Sequence, residues 1–163
     1  MNEVLMPEWM KQWKQDNALA EAKGEAKTQR GKVVALKVKA DGPEFWRQFL
    51  LELDSGARFL LEIGFRGRVS SFCESDKEQH CLLEVSRTGG VLGLTSTSLF
   101  YKPGGSKISS RTIEDEFSLF EFCVNEDDKL TVLADDGFTS LDAKSLADLI
   151  VREAVERLSG GEY

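Results

Sequence analysis

The chain has 163 residues, of which 41% are hydrophobic and 30% charged, and its 21 lysines and arginines face 28 acids for a net charge of −7. This length and composition suit one folded domain with a real core and exclude wholesale disorder. The acidic balance argues against generic binding to nucleic acid or anionic lipid.

The sequence also bears on location. No apolar run reaches the ~18–20 residues that cross a bilayer. The amino-terminal segment has no basic start, apolar middle or small-residue cleavage site of the kind that directs secretion. Three cysteines without such a signal fit reduced thiols. The sequence therefore predicts a cytoplasmic protein with no membrane partner.

The first predicted element is a helix over residues 7–30, which is rich in strong helix formers and has Pro7 in its first turn. Trp9, Met10 and Trp13 crowd its start, and the two tryptophans lie one turn apart on one face. Either this helix packs on the chain's own sheet, or residues 1–30 form a semi-independent arm that docks on a partner. Burial on the chain's own sheet is favoured because burial is the usual fate of tryptophan.

Two further elements follow before the sheet. Apolar and polar residues alternate over 34–39, which predicts a half-buried strand. Asp41 and Glu44 then form a capping-box pattern with Pro43 in the first turn, and this predicts a helix over 43–54. Its apolar stripe should face the sheet; the stripe consists of Phe45, Trp46, Phe49, Leu50 and Leu53.

The middle of the chain changes to short β patterns separated by turns rich in Gly, Pro, Asn and Asp. Such short connections join antiparallel neighbours. A last helix follows a second capping-box pattern at Thr139 and Asp142. The predicted fold is a single α+β domain over 1–163, in which the N-terminal, 43–54 and C-terminal helices pack an antiparallel meander of seven or eight strands. The strands are predicted at 58–65, 67–74, 79–87, 92–101, 107–113, 116–124 and 129–134.

A cysteine and histidine set raises the question of a metal or a catalytic thiol. Cys73, Cys81 and Cys123 with His80, the only histidine, would make a Cys₃His zinc set. The spacing lacks a C-x-x-C knuckle, and adjacent residues on a strand point to opposite faces. We therefore predict no metal, no cofactor and no catalytic residue in this set, with the cysteines acting as small hydrophobic residues.

Positive charge is concentrated in one part of the chain. Residues 85–113 contain no acid, although they include Arg87, Lys102, Lys107 and Arg111. The residues predicted to contact a ligand or phosphate come from this basic segment and from positions that precede it in the chain. They are Arg66, Arg68, His80, Arg87, Tyr101, Lys107 and Arg111.

Three functions are compatible with these patterns. The favoured one is a small non-enzymatic protein that binds another protein or a second copy of itself. It would bind through Trp9, Met10 and Trp13 if the first helix is an arm, and through a sheet edge or the basic segment if that helix packs on the sheet. The second is a ligand-binding or enzymatic domain with a cavity between the sheet and the helix at 43–54. The third is a phosphate or nucleic-acid binder that uses the basic segment, against which the acidic net charge counts.

Overall fold

The computed structural model describes residues 6–73, 77–89 and 93–160. Two helices and seven strands make up these residues, with a short 3₁₀ helix at Leu60–Ile63. The helices are α1 (Glu8–Phe59) and α2 (Ala143–Gly160). The strands are β1 (Phe65–Cys73), β2 (Gln79–Arg87), β3 (Leu94–Tyr101), β4 (Lys107–Thr112), β5 (Phe117–Val124), β6 (Leu130–Leu133) and β7 (Ser140–Leu141).

The chain divides into two compact units, Met1–Val34 and Ala35–Tyr163, and the division falls within α1. The first unit contains the amino-terminal part of that helix. The second contains the rest of α1, the sheet and α2. Each strand pairs antiparallel with the next in sequence, in the order β1 to β7. The predicted α+β class and the antiparallel meander are confirmed.

Two of the predicted strands are wrong. Residues 34–39 belong to α1, which runs through the predicted start of a new helix at Pro43. Proline removes the helical donor to the carbonyl of Lys39, and both Pro43 and Lys39 are exposed residues, where water can replace that donor. Residues 58–63 complete α1 and the 3₁₀ helix, which Gly64 ends in the left-handed region at φ 85°. The first strand therefore begins only at Phe65.

The remaining predicted strands correspond to β1–β6, with ends that shift by one or two residues. The predicted turn at 74–78 and the predicted strand start at 92 fall partly or wholly outside the described residues. The two-residue β7 was not predicted. The last helix begins one residue after Asp142, whose Oδ1 accepts a hydrogen bond from the Ser145 amide at 2.7 Å. The Thr139 hydroxyl instead donates a hydrogen bond to Asp136 Oδ2, so the predicted capping box does not form.

The core of the second unit lies on one face of the sheet, which we call the inner face. The α1 stripe and one face of α2 are buried together with inward residues of β2–β6. Trp46 of α1 stacks on Tyr101 of β3 at 5.4 Å between ring centroids, and Phe45 meets Phe122 of β5 edge-on at the same distance. Alternate residues of each strand point to the opposite, outer face.

Candidate interaction surfaces

The start of α1 carries a cluster of exposed apolar side chains. Trp9 is 67% exposed and Trp13 65%, and Met6 and Met10 are exposed beside them. The Pro7 carbonyl accepts hydrogen bonds from the Met10 and Lys11 amides at 3.0 and 3.2 Å, so the helical turn already forms here. We call Met6, Trp9, Met10 and Trp13 the aromatic helix end. Burial of these tryptophans, which the sequence favoured, does not occur in the described structure.

Met6 was missed by the sequence-based prediction because it precedes the helix. Its spacing from the other three members could have revealed it, since 6, 9, 10 and 13 follow the i, i+3, i+4, i+7 pattern of one helical face. All described side chains from 6 to 33 are exposed. Gly24 and Gly31 lie within this stretch with no atom near enough to require a glycine.

The predicted basic set is split between the two faces of the sheet. Strand register places Arg66, Arg68, His80, Lys107 and Arg111 on the outer face. It places Tyr101 and Arg87 on the inner face, in line with the buried residues of their strands. The structure therefore brings five of the seven residues to one surface and separates the other two from them.

Tyr101 and Arg87 both have structural contacts. The Tyr101 ring is fully buried and stacks on Trp46, and burial raises the pKa of its hydroxyl. The Gly104 backbone moderates that increase, but the hydroxyl oxygen has no partner with hydrogen-bond geometry among the described residues. Arg87 Nη2 donates to the Leu158 carbonyl at 3.2 Å, and the guanidinium lies 5.7 Å from the centroid of the Phe65 ring. Neither residue is available to the outer face.

A row of stacked rings crosses the outer face. His80 lies between Phe72 on β1 and Phe100 on β3, with centroid separations of 5.6 and 4.6 Å and interplanar angles of 23° and 5°. Phe72, at the edge of the sheet, is 54% exposed. His80 Nε2 is buried and has no hydrogen-bond partner among the described residues. We call Phe72, His80 and Phe100 the ring ladder. In the sequence it is indicated by one ring on each of three successive strands, at a position whose alternation points it to the outer face.

The cysteines and the histidine do not converge within the described structure. His80 lies on the outer face, whereas Cys81 is fully buried on the inner face, which raises the pKa of its thiol to about 12. Cys123 lies 3.0 Å from the Thr131 hydroxyl. The side chain of Cys73 lies outside the described part. Among the residues that are described, no group of three metal-binding side chains forms.

Two hollows in the surface of the second unit are lined by polar groups. The larger, of about 640 Å³, is lined by side chains that already bond one another, such as Thr131, which accepts from Ser140 at 2.6 Å. The smaller, of about 410 Å³, holds Glu153 and Arg157 of α2. Arg157 donates to the hydroxyls of Thr95 and Thr97 at 3.1 and 2.6 Å.

Glu153 is the perturbed acid of this smaller hollow. Burial raises the pKa of its carboxyl, and the neighbouring acids Asp135, Glu156 and Glu116 act in the same direction. Arg157 opposes the shift. No local pattern in the sequence predicts this site, because its residues come from β3, β4, β5 and α2.

Neither α1 nor α2, over the residues described, is both long and apolar enough to span a membrane. Comparisons of this chain with protein-family models, with curated proteins and with solved structures find no match.

Proposed function

We propose that the chain is a cytoplasmic protein-binding module whose aromatic helix end inserts into an apolar groove of a partner protein. The exposure of Trp9 and Trp13, at 67% and 65%, is the observation that carries this proposal. Large apolar side chains at i, i+3, i+4 and i+7 are the anchors by which helices bind in grooves. Tryptophan is also among the residues that most often dominate binding energy at interfaces.

The exposure of the helix around this cluster supports the same function. Described side chains from 6 to 33 are exposed, so packing contributes little to the helical state of this stretch. A helix without a packed face is marginal in water, and each interior glycine costs about 1 kcal/mol relative to alanine. Binding in a groove would bury the apolar cluster and stabilise the helix in the same step.

Ligand binding between the sheet and the helix at 43–54 has less support. The rings of Trp46, Phe49 and Tyr101 occupy the space under this part of α1, and each is almost fully buried. A cavity for a small molecule would require these rings to move.

The proposal is tested by capturing partners from the native host with three forms of the full chain. One is the wild type, the second is Trp9→Ala/Trp13→Ala, and the third is Lys11→Ala/Gln15→Ala. Lys11 and Gln15 are exposed, lie on the same turns of α1 and are spaced like the two tryptophans but on the opposite side of the helix, so the third form is a matched control. Sedimentation velocity on each form shows whether the partner is a second copy.

We expect the wild type and the Lys11→Ala/Gln15→Ala control to retain the same partner and the tryptophan variant to lose it. With the purified partner, calorimetry should show an affinity loss of about 30-fold or more, because each interface hot spot contributes about 2 kcal/mol or more. Equal capture and equal affinity for all three forms would show that the aromatic helix end is not the binding surface.

A further inference from the structure

The ring ladder continues into a gap on the next strand. The register across the outer face runs from Phe72 through His80 and Phe100 to Ser109 on β4 and Leu119 on β5. Ser109 has only a hydroxymethyl group where its neighbours in the row have a ring or a branched chain. Strands lie about 4.8 Å apart. A planar ring placed above Ser109 would therefore stack on Phe100 at nearly the 4.6 Å separation that His80 has on its other side. We call this gap the Ser109 slot.

Two cations flank the Ser109 slot along β4. Lys107 and Arg111 are two residues before and after Ser109, so both point to the outer face, each about 7 Å from it along the strand. Both are exposed. Glu121 lies opposite Lys107 in the register, and Arg111 donates to Asp115 at 2.9 Å from its Nε. The Arg111 guanidinium also lies 5.3 Å from the centroid of the Phe117 ring.

More positive charge lies at the other end of the ladder. Arg66 and Arg68 on β1 are exposed, and neither has an ion-pair partner among the described residues. Glu84, opposite Arg68, is the other acid on the strands of this face besides Glu121. Cations thus outnumber acids here, although the chain as a whole carries −7. The outer face is complementary to a flat aromatic group that carries negative charge.

We propose that the outer face binds single-stranded nucleic acid, with one base stacked on Phe100 in the Ser109 slot and the adjoining phosphates at Lys107 and Arg111. A nucleotide within a strand has a phosphate on each side of its base, which matches a slot with a cation on each side. Proteins that bind single strands without sequence preference combine stacking rings with a basic track in this way. An acidic aromatic peptide presents its ring and its charges on different residues, so the slot fits it less well. This activity is separate from partner binding by the aromatic helix end.

The probe is a fluorescein-labelled oligothymidylate of about ten nucleotides, within the usual site size of such proteins. Anisotropy of the probe is measured with the full chain at salt concentrations between about 50 and about 200 mM. Ser109→Leu fills the slot, and Ser96→Leu makes the same change elsewhere on the outer face as a matched control. Lys107→Gln tests the charge without adding volume. Circular dichroism verifies the fold of each variant.

We expect the wild type to bind and Ser109→Leu to bind about tenfold more weakly, since stacking contributes several-fold to 100-fold per base. Ser96→Leu should match the wild type. For two phosphate contacts on a single strand, affinity should fall about sevenfold over this salt range, and Lys107→Gln should halve the logarithmic slope.

Asp115→Asn tests the proposal in the opposite direction, because this variant should bind the oligothymidylate probe more tightly than the wild type. Asp115 has φ 61°, which asparagine also tolerates, so the backbone should persist while the carboxylate that competes for Arg111 is lost. Affinity should rise by up to about fivefold, the range of an exposed ion pair. Absence of probe binding at the lowest salt would overturn the proposal. So would equal binding by Ser109→Leu and wild type, or a polyglutamate peptide that displaces the probe as well as unlabelled oligothymidylate does.

Discussion

Gly42 in α1 and Tyr101 in β3 provide a sharp test of how the helix packs on the sheet. An alanine at an open helix position usually stabilises by about 1 kcal/mol relative to glycine. At position 42, however, the new Cβ would lie 2.6 Å from the Tyr101 hydroxyl oxygen. That ring cannot swing aside easily, because it is fully buried, stacked on Trp46 and edge-on to Phe122. Gly42→Ala should therefore be destabilising.

The magnitude follows from two opposing terms. Overpacking in a core costs about 1–3 kcal/mol, and an approach of 2.6 Å to a ring that is held in place belongs in the upper part of that range, at about 2–3 kcal/mol. The helix-propensity gain of about 1 kcal/mol offsets part of this cost, so the net loss should be about 1–2 kcal/mol. In a Tyr101→Phe background the nearest ring atom is Cζ, at 3.6 Å, which is an ordinary contact. There the same substitution should stabilise by about 0.5–1 kcal/mol. Tyr101→Phe alone should be neutral or slightly stabilising, because it removes a buried hydroxyl that has no partner among the described residues.

The assay is urea unfolding of the four proteins of this double-mutant cycle, followed by circular dichroism. The coupling free energy between positions 42 and 101 should be about 2 kcal/mol, as found for residues in direct contact. If Gly42→Ala stabilises the wild type as much as it stabilises the Tyr101→Phe protein, this part of α1 does not approach the sheet as described.

Three further predictions concern the core, a buried acid and a thiol. Phe49→Ala should lower the free energy of unfolding by about 3–5 kcal/mol, since Phe49 is fully buried; urea titration showing a loss below about 1 kcal/mol would place its side chain outside the core. The pKa of the Glu153 carboxyl is raised in the folded state, so the protonated acid favours folding. Its contribution to the free energy of unfolding is therefore present below the unfolded-state pKa and is lost as pH rises through the folded-state pKa. Stability measured from pH 4 to 8 should therefore decline more steeply for the wild type than for Glu153→Gln, and parallel profiles would contradict the burial of this acid. In Cys73→Ser/Cys123→Ser the remaining thiol of Cys81, with its pKa raised to about 12, should react with a thiol reagent only after denaturation, and rapid labelling of the native protein would show that it is accessible.

The sheet was largely predictable because its signals are local. Each turn between successive strands is short and rich in turn-forming residues, so neighbours pair in chain order, and alternation within each strand fixes which residues face the core.

Helix α1 was only partly predictable. The alternation over 34–39 fits a strand, but only Val38 among these residues is buried. Helix α1 nevertheless continues through this segment and through Asp41, Gly42 and Pro43, which are poor helix formers. Val38 lies on the same buried face as the stripe that begins at Phe45, and the packing of that face, which the sequence pattern alone does not show, overrides local propensity.

The sequence by itself determined the α+β class, the meander, the positions of most strands and the opposite orientation of His80 and Cys81, because each depends on residues that are near neighbours in the chain. Tertiary structure decided the rest. Strand register placed Phe72, His80 and Phe100 in one row, and put Tyr101 and Arg87 on the opposite face from the other basic residues. The position of α2 on the sheet brought Glu153 near Asp135 and Glu116. The exposure of Trp9 and Trp13 was likewise not fixed by their spacing, since the same helical face serves equally for a core or for a partner. Burial depends on what a residue meets across the fold, and those contacts join positions that are far apart in the sequence.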